Sequence, residues 1–176
     1  MTQRWSTELV LFDAPIQSGE TDERYTPKWI FDALGETFDL DPASPPPGIG
    51  AVPARAVWTN DDDGLTKPWH GFVWCNPPFS NGTPWADRFM AHGCGLWLGP
   101  VANARWHDRM LRRSDAVILL RDFAFISPTH GGKRSSMPLS MHAFGARAHA
   151  ALARFADAAP TAGVLLTRPN QKEARA

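Results

Sequence analysis

With 176 residues and 19.4 kDa, the chain has the size of one domain, and its 43% hydrophobic and 20% charged residues supply a core and exclude a disordered composition. No apolar run approaches the ~20 residues of a membrane span, the start MTQRWSTE lacks a secretory apolar region, and Cys75 and Cys94 have neither disulfide-framework nor zinc-ligand spacing, so a cytoplasmic location is expected. The net charge of zero hides an asymmetry: residues 1–80 carry 5 Lys+Arg against 12 Asp+Glu (−7), and residues 81–176 carry 13 against 6 (+7). An acidic front suits a cationic small molecule, and a basic rear suits a polyanion.

In chain order, residues 1–24 are polar and read as an arm. Thr26-Pro27 looks like a helix start, with the hydroxyl as N-cap and proline at the first helical position. Ile30, Phe31, Ala33 and Leu34 follow at helical spacing, and Gly35 stops the run. Phe38 to Pro42 reads as a short strand, residues 43–53 as a Pro/Gly-rich loop, Ala56 to Thr59 as a strand and Asp61 to Gly64 as an acidic turn. Phe72 to Cys75 is a continuous apolar run between Gly71 and Asn76-Pro77-Pro78, the pattern of a central buried strand. A helix from about Trp85 to His92, an apolar run Leu96 to Leu98, a helix from about Ala104 to Arg113 and a strand Ala116 to Leu120 follow. Residues 127–138 read as a polar, basic loop, about Gly145 to Ala158 as an Ala-rich helix, and Val164 to Thr167 as a last apolar run before a flexible tail, 169–176. Strands alternating with helices predict one α/β domain over residues 25–168 with a mainly parallel sheet.

The strongest local feature is Asn76-Pro77-Pro78-Phe79, at the carboxyl end of the buried strand, where open α/β sheets bind ligands. Its chemistry fits methyl transfer to an exocyclic amino group. That nitrogen delocalises its lone pair into the base and is a poor nucleophile. Two acceptors aimed at its hydrogens, the Asn76 side-chain oxygen and the Pro77 carbonyl, can localise the pair, and the prolines preorganise them. Phe79 offers a flat face for a base rotated out of its stack.

The tetrad resembles the (Asp/Asn/Ser)-Pro-Pro-aromatic motif of S-adenosylmethionine-dependent amino methyltransferases. The wider set resembles the small phage-encoded DNA N6-adenine methyltransferases of the Dam type. It comprises Tyr25-Thr26-Pro27-x-Trp29, Phe38-Asp39-Leu40-Asp41-Pro42-Ala43-Ser44, Asp62-Asp63-Gly64-Leu65 and Trp69-x-Gly71-x-Val73-Trp74-x-Asn76-Pro77-Pro78-Phe79-Ser80, in order over residues 25–80. Weaker similarity runs from Trp85 to about Leu120. The resemblance implies a Rossmann-like methyltransferase fold with helices on both faces of the sheet. It places Tyr25, Thr26 and Pro27 against the methionine end of S-adenosylmethionine, with Asp41, Pro42 and Ala43 as the bend beneath. Asp63, Gly64 and Leu65 would contact its adenosine part, Asp63 accepting from the adenine amino group. Asn76, Pro77, Pro78 and Phe79 would be catalytic.

The sequence departs from the general methyltransferase pattern after Asp41-Pro42. Pro45-Pro46-Pro47 intervene before Gly48-x-Gly50, and only 34 residues separate Asp41 from Asn76. One strand–helix unit is therefore expected to be shortened or missing, which leaves the ribose-binding acid open among Asp39, Asp61 and Asp62. In the basic loop, His130, Lys133, Arg134 and Ser135 suit contact with DNA phosphates. Arg105, Arg109, Arg112 and Arg113 read as a solvated helix face, Trp85 and Trp106 as core, and the six histidines as surface or satisfied core. The function expected is transfer of a methyl group from S-adenosylmethionine to N6 of a flipped-out adenine in double-stranded DNA. No metal and no membrane are implied, and a monomer or weak dimer is expected, in the host cytoplasm if the gene is phage-borne. RNA bases, cytosine N4 or protein glutamine as methyl acceptors, and a non-enzymatic DNA-binding module, stay open at this stage.

Overall fold

The structure is a computed structural model that describes residues 24–46, 49–126, 133–134 and 137–168. The expected N-terminal arm and C-terminal tail lie outside these residues, apart from Arg24. The elements are α1 (Lys28–Leu34), β1 (Phe38–Asp41), β2 (Ala54–Val57), β3 (Val73–Cys75), α2 (Gly82–His92), β4 (Gly95–Pro100), α3 (Arg105–Arg113) and β5 (Ala116–Leu120). They continue with β6 (Ala124–Phe125), β7 (Lys133–Arg134), β8 (Leu139–Phe144), α4 (Ala146–Ala158) and β9 (Gly163–Thr167).

Seven strands form one sheet in the order β2-β1-β3-β4-β8-β5-β9, and β6 pairs with β7 separately. The pairs β1–β2, β1–β3 and β3–β4 are parallel. β8 runs antiparallel to both β4 and β5, and β9 antiparallel to β5. β5 therefore runs with the first four strands, and only β8 and β9 oppose them. The sheet is mixed, parallel in its first half and antiparallel in its second.

Both faces of the sheet are covered. α1 and α4 pack on one face through Ile30, Phe31, Leu34, Leu152 and Phe155, against Trp74, Leu96, Leu98, Ile118 and Met141. α2 and α3 pack on the other through Phe89, Met90, Trp106 and Met110, against Val73, Cys75 and Trp97. β3 shows the division, since Trp74 points to one layer and its neighbours Val73 and Cys75 to the other. Each such large apolar side chain contributes roughly 1.5–3 kcal/mol by leaving water. Trp85 and Trp106 are both buried, as expected of core residues.

Three local expectations change. Thr26 does not cap α1: Pro27 holds the cap position without a side-chain hydrogen bond, while Gly35 ends the helix at φ 62° as anticipated. β2 lies two residues earlier than expected, and no helix occurs among the described residues between β1 and β2. β8 was not foreseen at all, because Ser140 and His142 make the segment after the basic stretch look like a continuing loop.

Those polar residues are buried but satisfied. Ser114 Oγ donates to the Met110 carbonyl at 2.5 Å, so with its one proton committed it accepts from His142 Nδ1 at 2.9 Å. His142 Nε2 then accepts from Ser140 Oγ, also at 2.9 Å. Burial, and secondarily the neighbouring His107, pushes the His142 pKa down from 6.5 to about 3. A depressed histidine pKa contributes stability that is complete above pH 6.5 and lost as pH falls toward 3. His142 alone should lower the unfolding free energy by up to ~1.4 kcal/mol per pH unit across that window. Urea titrations from about pH 7 to about pH 4 test this: His142→Asn should flatten the slope, and an equal slope in both proteins would place the acid sensitivity elsewhere.

Candidate active site

β1 has β2 on one side and β3 on the other, so the chain changes direction across the sheet at the β1/β3 boundary. Ligands of open α/β sheets bind at such a switch point, outside the carboxyl ends of the strands. A cavity of about 260 Å³ opens there. Of the residues singled out from the sequence, it brings together Tyr25, Thr26, Asp41, Pro42, Ala43, Asp63, Gly64, Asn76 and Pro78. Pro27, Leu65, Pro77 and Phe79 do not line it. Arg24, Thr59, Asn60 and Trp85 line it without having been anticipated as site residues.

Asn76 leaves β3 with its amide in a defined orientation. Nδ2 donates to the backbone carbonyl of Arg24 at 2.8 Å and lies 3.4 Å from Thr26 Oγ1. A backbone carbonyl only accepts, so the amino end of the amide must be the end that faces it. Oδ1 is thereby turned the other way, buried and without a hydrogen-bond partner among the described residues. An orphaned buried acceptor costs roughly 1–3 kcal/mol, which a ligand N–H can recover. The Thr26 hydroxyl that looked like a helix cap serves this amide instead.

Asp41, the last residue of β1, is only 2% exposed. Its Oδ1 accepts from the Ala43 backbone N–H at 3.1 Å, and Ser44 hydrogen-bonds to the carboxylate. Burial outweighs both bonds and raises the pKa from 3.8 to about 7. The fully buried Cys75 thiol beside it is pushed well up by burial and by the Asp41 charge. The cavity therefore holds a carboxyl group whose ionisation is costly until a cation arrives.

The acidic turn is clamped onto the bend after β1. A side chain at Gly64 would place its first carbon 2.0 Å from the Pro42 carbonyl oxygen, so only glycine permits this approach. Trp69 Nε1 donates to the Gly64 carbonyl at 2.7 Å and holds the turn down. Asp63, at φ 50°, accepts from the Leu65 N–H through Oδ1 at 3.3 Å. None of Asp39, Asp61 and Asp62 lines the cavity. Asp39 accepts from the Phe72 N–H at 2.8 Å and pairs with Arg55 at 2.9 Å, the backbone bond first in holding its pKa below the ordinary value. Asp62 closes a capping box on Thr59 and pairs with Lys67 at 2.6 Å, which also lowers its pKa. Thr59, Asn60 and Asp63 are the polar residues that this turn and the residues before it present to the cavity.

Phe79 is 5% exposed, and its ring packs edge-on against Phe125 at 5.9 Å with the Arg24 guanidinium 4.8 Å from its centroid. In the basic stretch, His130 and Ser135 lie outside the described residues, and Lys133 and Arg134 form β7 against β6. On α3, Arg112 pairs with Asp108 at 3.0 Å, Arg109 with Asp87, and Arg113 donates to the Met90 carbonyl at 3.0 Å. This face is laced with local pairs. Among the described residues no three His, Cys, Asp or Glu side chains gather as a metal site, and no helix is long and apolar enough to cross a membrane.

The raised Asp41 pKa has a measurable sign. The folded state keeps this proton at pH values where the unfolded chain has lost it, so stability declines as pH rises from about 4 to about 7. Asp41→Asn removes that penalty. At about pH 8 the variant should be more stable than the parent by up to ~4 kcal/mol, with no gain near pH 4. Denaturant unfolding at the two pH values decides it, and an equal difference at both would show that Asp41 ionises freely.

No curated protein and no solved structure matches the chain. One family does, over residues 14–147, a range that spans the cavity, the tetrad and the sheet from β1 to β8. The coverage exceeds half of the chain and includes every element that builds the site, so this protein belongs to the DNA N-6-adenine-methyltransferase (Dam) family.

Proposed function

We propose that the chain transfers the methyl group of S-adenosylmethionine to N6 of an adenine turned out of double-stranded DNA, on a Rossmann-like methyltransferase fold reduced by one strand–helix unit. The observation that carries this reading is the Asn76 amide, whose buried Oδ1 has no hydrogen-bond partner among the described residues and lies on a residue that lines the β1/β3 cavity. The cavity also suits the cofactor, since a buried carboxyl group is the natural partner of a sulfonium and an ammonium. S-adenosylmethionine, when bound, supplies an electrophilic methyl group.

The chain's own residues do the rest. Asp41 ionises against the cationic ligand, with Ala43 N–H and Ser44 holding the carboxylate in place. Tyr25, Thr26, Asp63 and Gly64 line the cavity around the ligand. Asn76 Oδ1 and the Pro77 carbonyl accept the two N–H bonds of the target amine and draw its lone pair out of the ring. Pro77 and Pro78 keep these acceptors from reorienting during the reaction. Phe79 takes the face of the extruded base. The β6–β7 segment brings Lys133 and Arg134, with His130 and Ser135 nearby in sequence, to the DNA backbone.

Incubation with labelled S-adenosylmethionine and DNA, RNA or protein tests the reading directly, and label in N6-methyladenine of DNA is the expected result. Label confined to RNA, cytosine or glutamine would replace the substrate, and no label with retained DNA binding would leave a binding module. Asn76→Ala should lower turnover by roughly 10²–10³-fold at saturating cofactor, the scale of losing one preorganised hydrogen-bonding group, over and above any loss of cofactor affinity from the broken bond to the Arg24 carbonyl. Calorimetry and single-turnover rates separate the two effects, and near-normal turnover would remove Asn76 from the chemistry. For the basic segment, Lys133→Ala with Arg134→Ala should make the slope of log affinity against log salt shallower by about 1.8 on duplex DNA. An unaltered slope would mean that these side chains meet no phosphate.

A further inference from the structure

Arg24 touches both Phe79 and the cavity. Arg24 lines the cavity, and its guanidinium carbon lies 4.8 Å from the Phe79 ring centroid and 6.0 Å from that of Phe125. Phe79 itself does not reach the cavity and is 5% exposed, so neither of its faces is open to a base. The Arg24 backbone carbonyl also accepts from the Asn76 amide at 2.8 Å. Its position is fixed by the next residue: Tyr25 N–H donates to the Ile126 carbonyl at 3.2 Å, and Ile126 N–H to the Tyr25 carbonyl at 2.9 Å. Ile126 directly follows β6, so the backbone behind Arg24 is tied to the strand that pairs with Lys133 and Arg134.

We propose that the Arg24 side chain is a placeholder for the target base, covering Phe79 until a flipped base displaces it, while its carbonyl stays on Asn76. The inference rests on the proposed function, because it takes Phe79 as the platform for the base. A guanidinium is planar and stacks on aromatic faces, so it keeps the ring dry without a base present. A base stacked on that ring and offering its amino group to Asn76 must occupy the volume the guanidinium holds. Ring–cation and ring–base contacts are of comparable worth, so at the Phe79 ring the base restores what the guanidinium gives up. The displaced cation then lies beside a polyanion, where a phosphate can receive it. A small amine without a π face cannot take over the ring contact, and a base not attached to nucleic acid brings no phosphate for the displaced cation. Arg24 thereby sets which acceptors reach Asn76.

The test uses the full chain with S-adenosylhomocysteine at saturation, so that only the base site is open to a purine, and 2-aminopurine 2′-deoxyriboside as the fluorescent probe. Arg24→Ala should bind the probe about threefold to thirtyfold tighter than the parent, the equilibrium equivalent of removing one ring–cation contact. The gain should vanish in a Phe79→Leu background. A residue with a merely structural role would lower thermal stability without tightening this probe. If Arg24→Ala does not fold, Arg24→Lys, which keeps the charge and loses the plane, should bind more tightly by a smaller factor. Unchanged or weaker binding in the folded Arg24 variants, with Phe79→Leu alone still weakening it, overturns the placeholder and leaves the proposed function standing. Full binding by Phe79→Leu itself overturns both the placeholder and the role of Phe79 as the base's platform.

Discussion

The hydrogen bond from Asn76 Nδ2 to the Arg24 carbonyl joins positions 52 residues apart and fixes three things together. It sets which end of the Asn76 amide is offered to a ligand. It seats the segment before α1 against the carboxyl end of β3, so that Tyr25 and Thr26 become cavity wall. It also brings Arg24 within reach of the Phe79 ring. A carbonyl suits this task better than a side chain, because it cannot rotate into a donor and so cannot tolerate a flipped amide. The switch-point geometry of β1 and β3 supplies a place for a ligand, and this one bond gives the place its polarity.

Three polar groups on or beside the sheet differ in how completely the protein satisfies them. His142 has a partner for each ring nitrogen and sits between β4 and β5 with its neutral state enforced by burial. Its surroundings are complete, and nothing remains for a ligand to satisfy. Among the described residues, Asn76 and Asp41 are incomplete in complementary ways, one lacking a donor for an oxygen and the other lacking a cation for a carboxyl group. Interiors rarely leave such groups unsatisfied, and where they do the missing partner usually arrives from outside.

Much of this was legible in the chain. The apolar run ending in Asn76-Pro77-Pro78 announced β3 and its carboxyl end, since a continuous hydrophobic stretch closed by two prolines has few other structures open to it. The 34 residues between Asp41 and Asn76 leave little room for two full crossovers, and no helix lies between β1 and β2 among the described residues. What stayed hidden depended on distant partners. Thr26 had every local mark of a helix cap, yet its hydroxyl meets Asn76, fifty positions on. β8 alternates apolar and polar residues as a strand should, but Ser140 and His142 belong inside only because Ser114 completes them from another element. Asp39 and Asp62 looked like ligand-binding acids and are tied up by Phe72, Arg55, Thr59 and Lys67. The cover over Phe79 left no trace in the pattern, since nothing about an arginine at position 24 points to a ring at 79.

The antiparallel insertion of β8 has a consequence for how the molecule comes into being. β4 and β5 are not neighbours; each finds its partner on that side only in residues 139–144, and β5 has no other partner until β9. During synthesis the strands β2, β1, β3 and β4 can assemble from the first hundred residues, with the carboxyl ends that frame the cavity already side by side. The remaining half must wait, and β4 meanwhile presents the open hydrogen-bonding edge of Leu96, Trp97 and Leu98. An unpaired apolar edge of that kind recruits other chains as readily as its own. The nascent protein is therefore most exposed to misassembly in the interval between the emergence of β4 and that of β8, and a chaperone or a slow ribosome would matter most there.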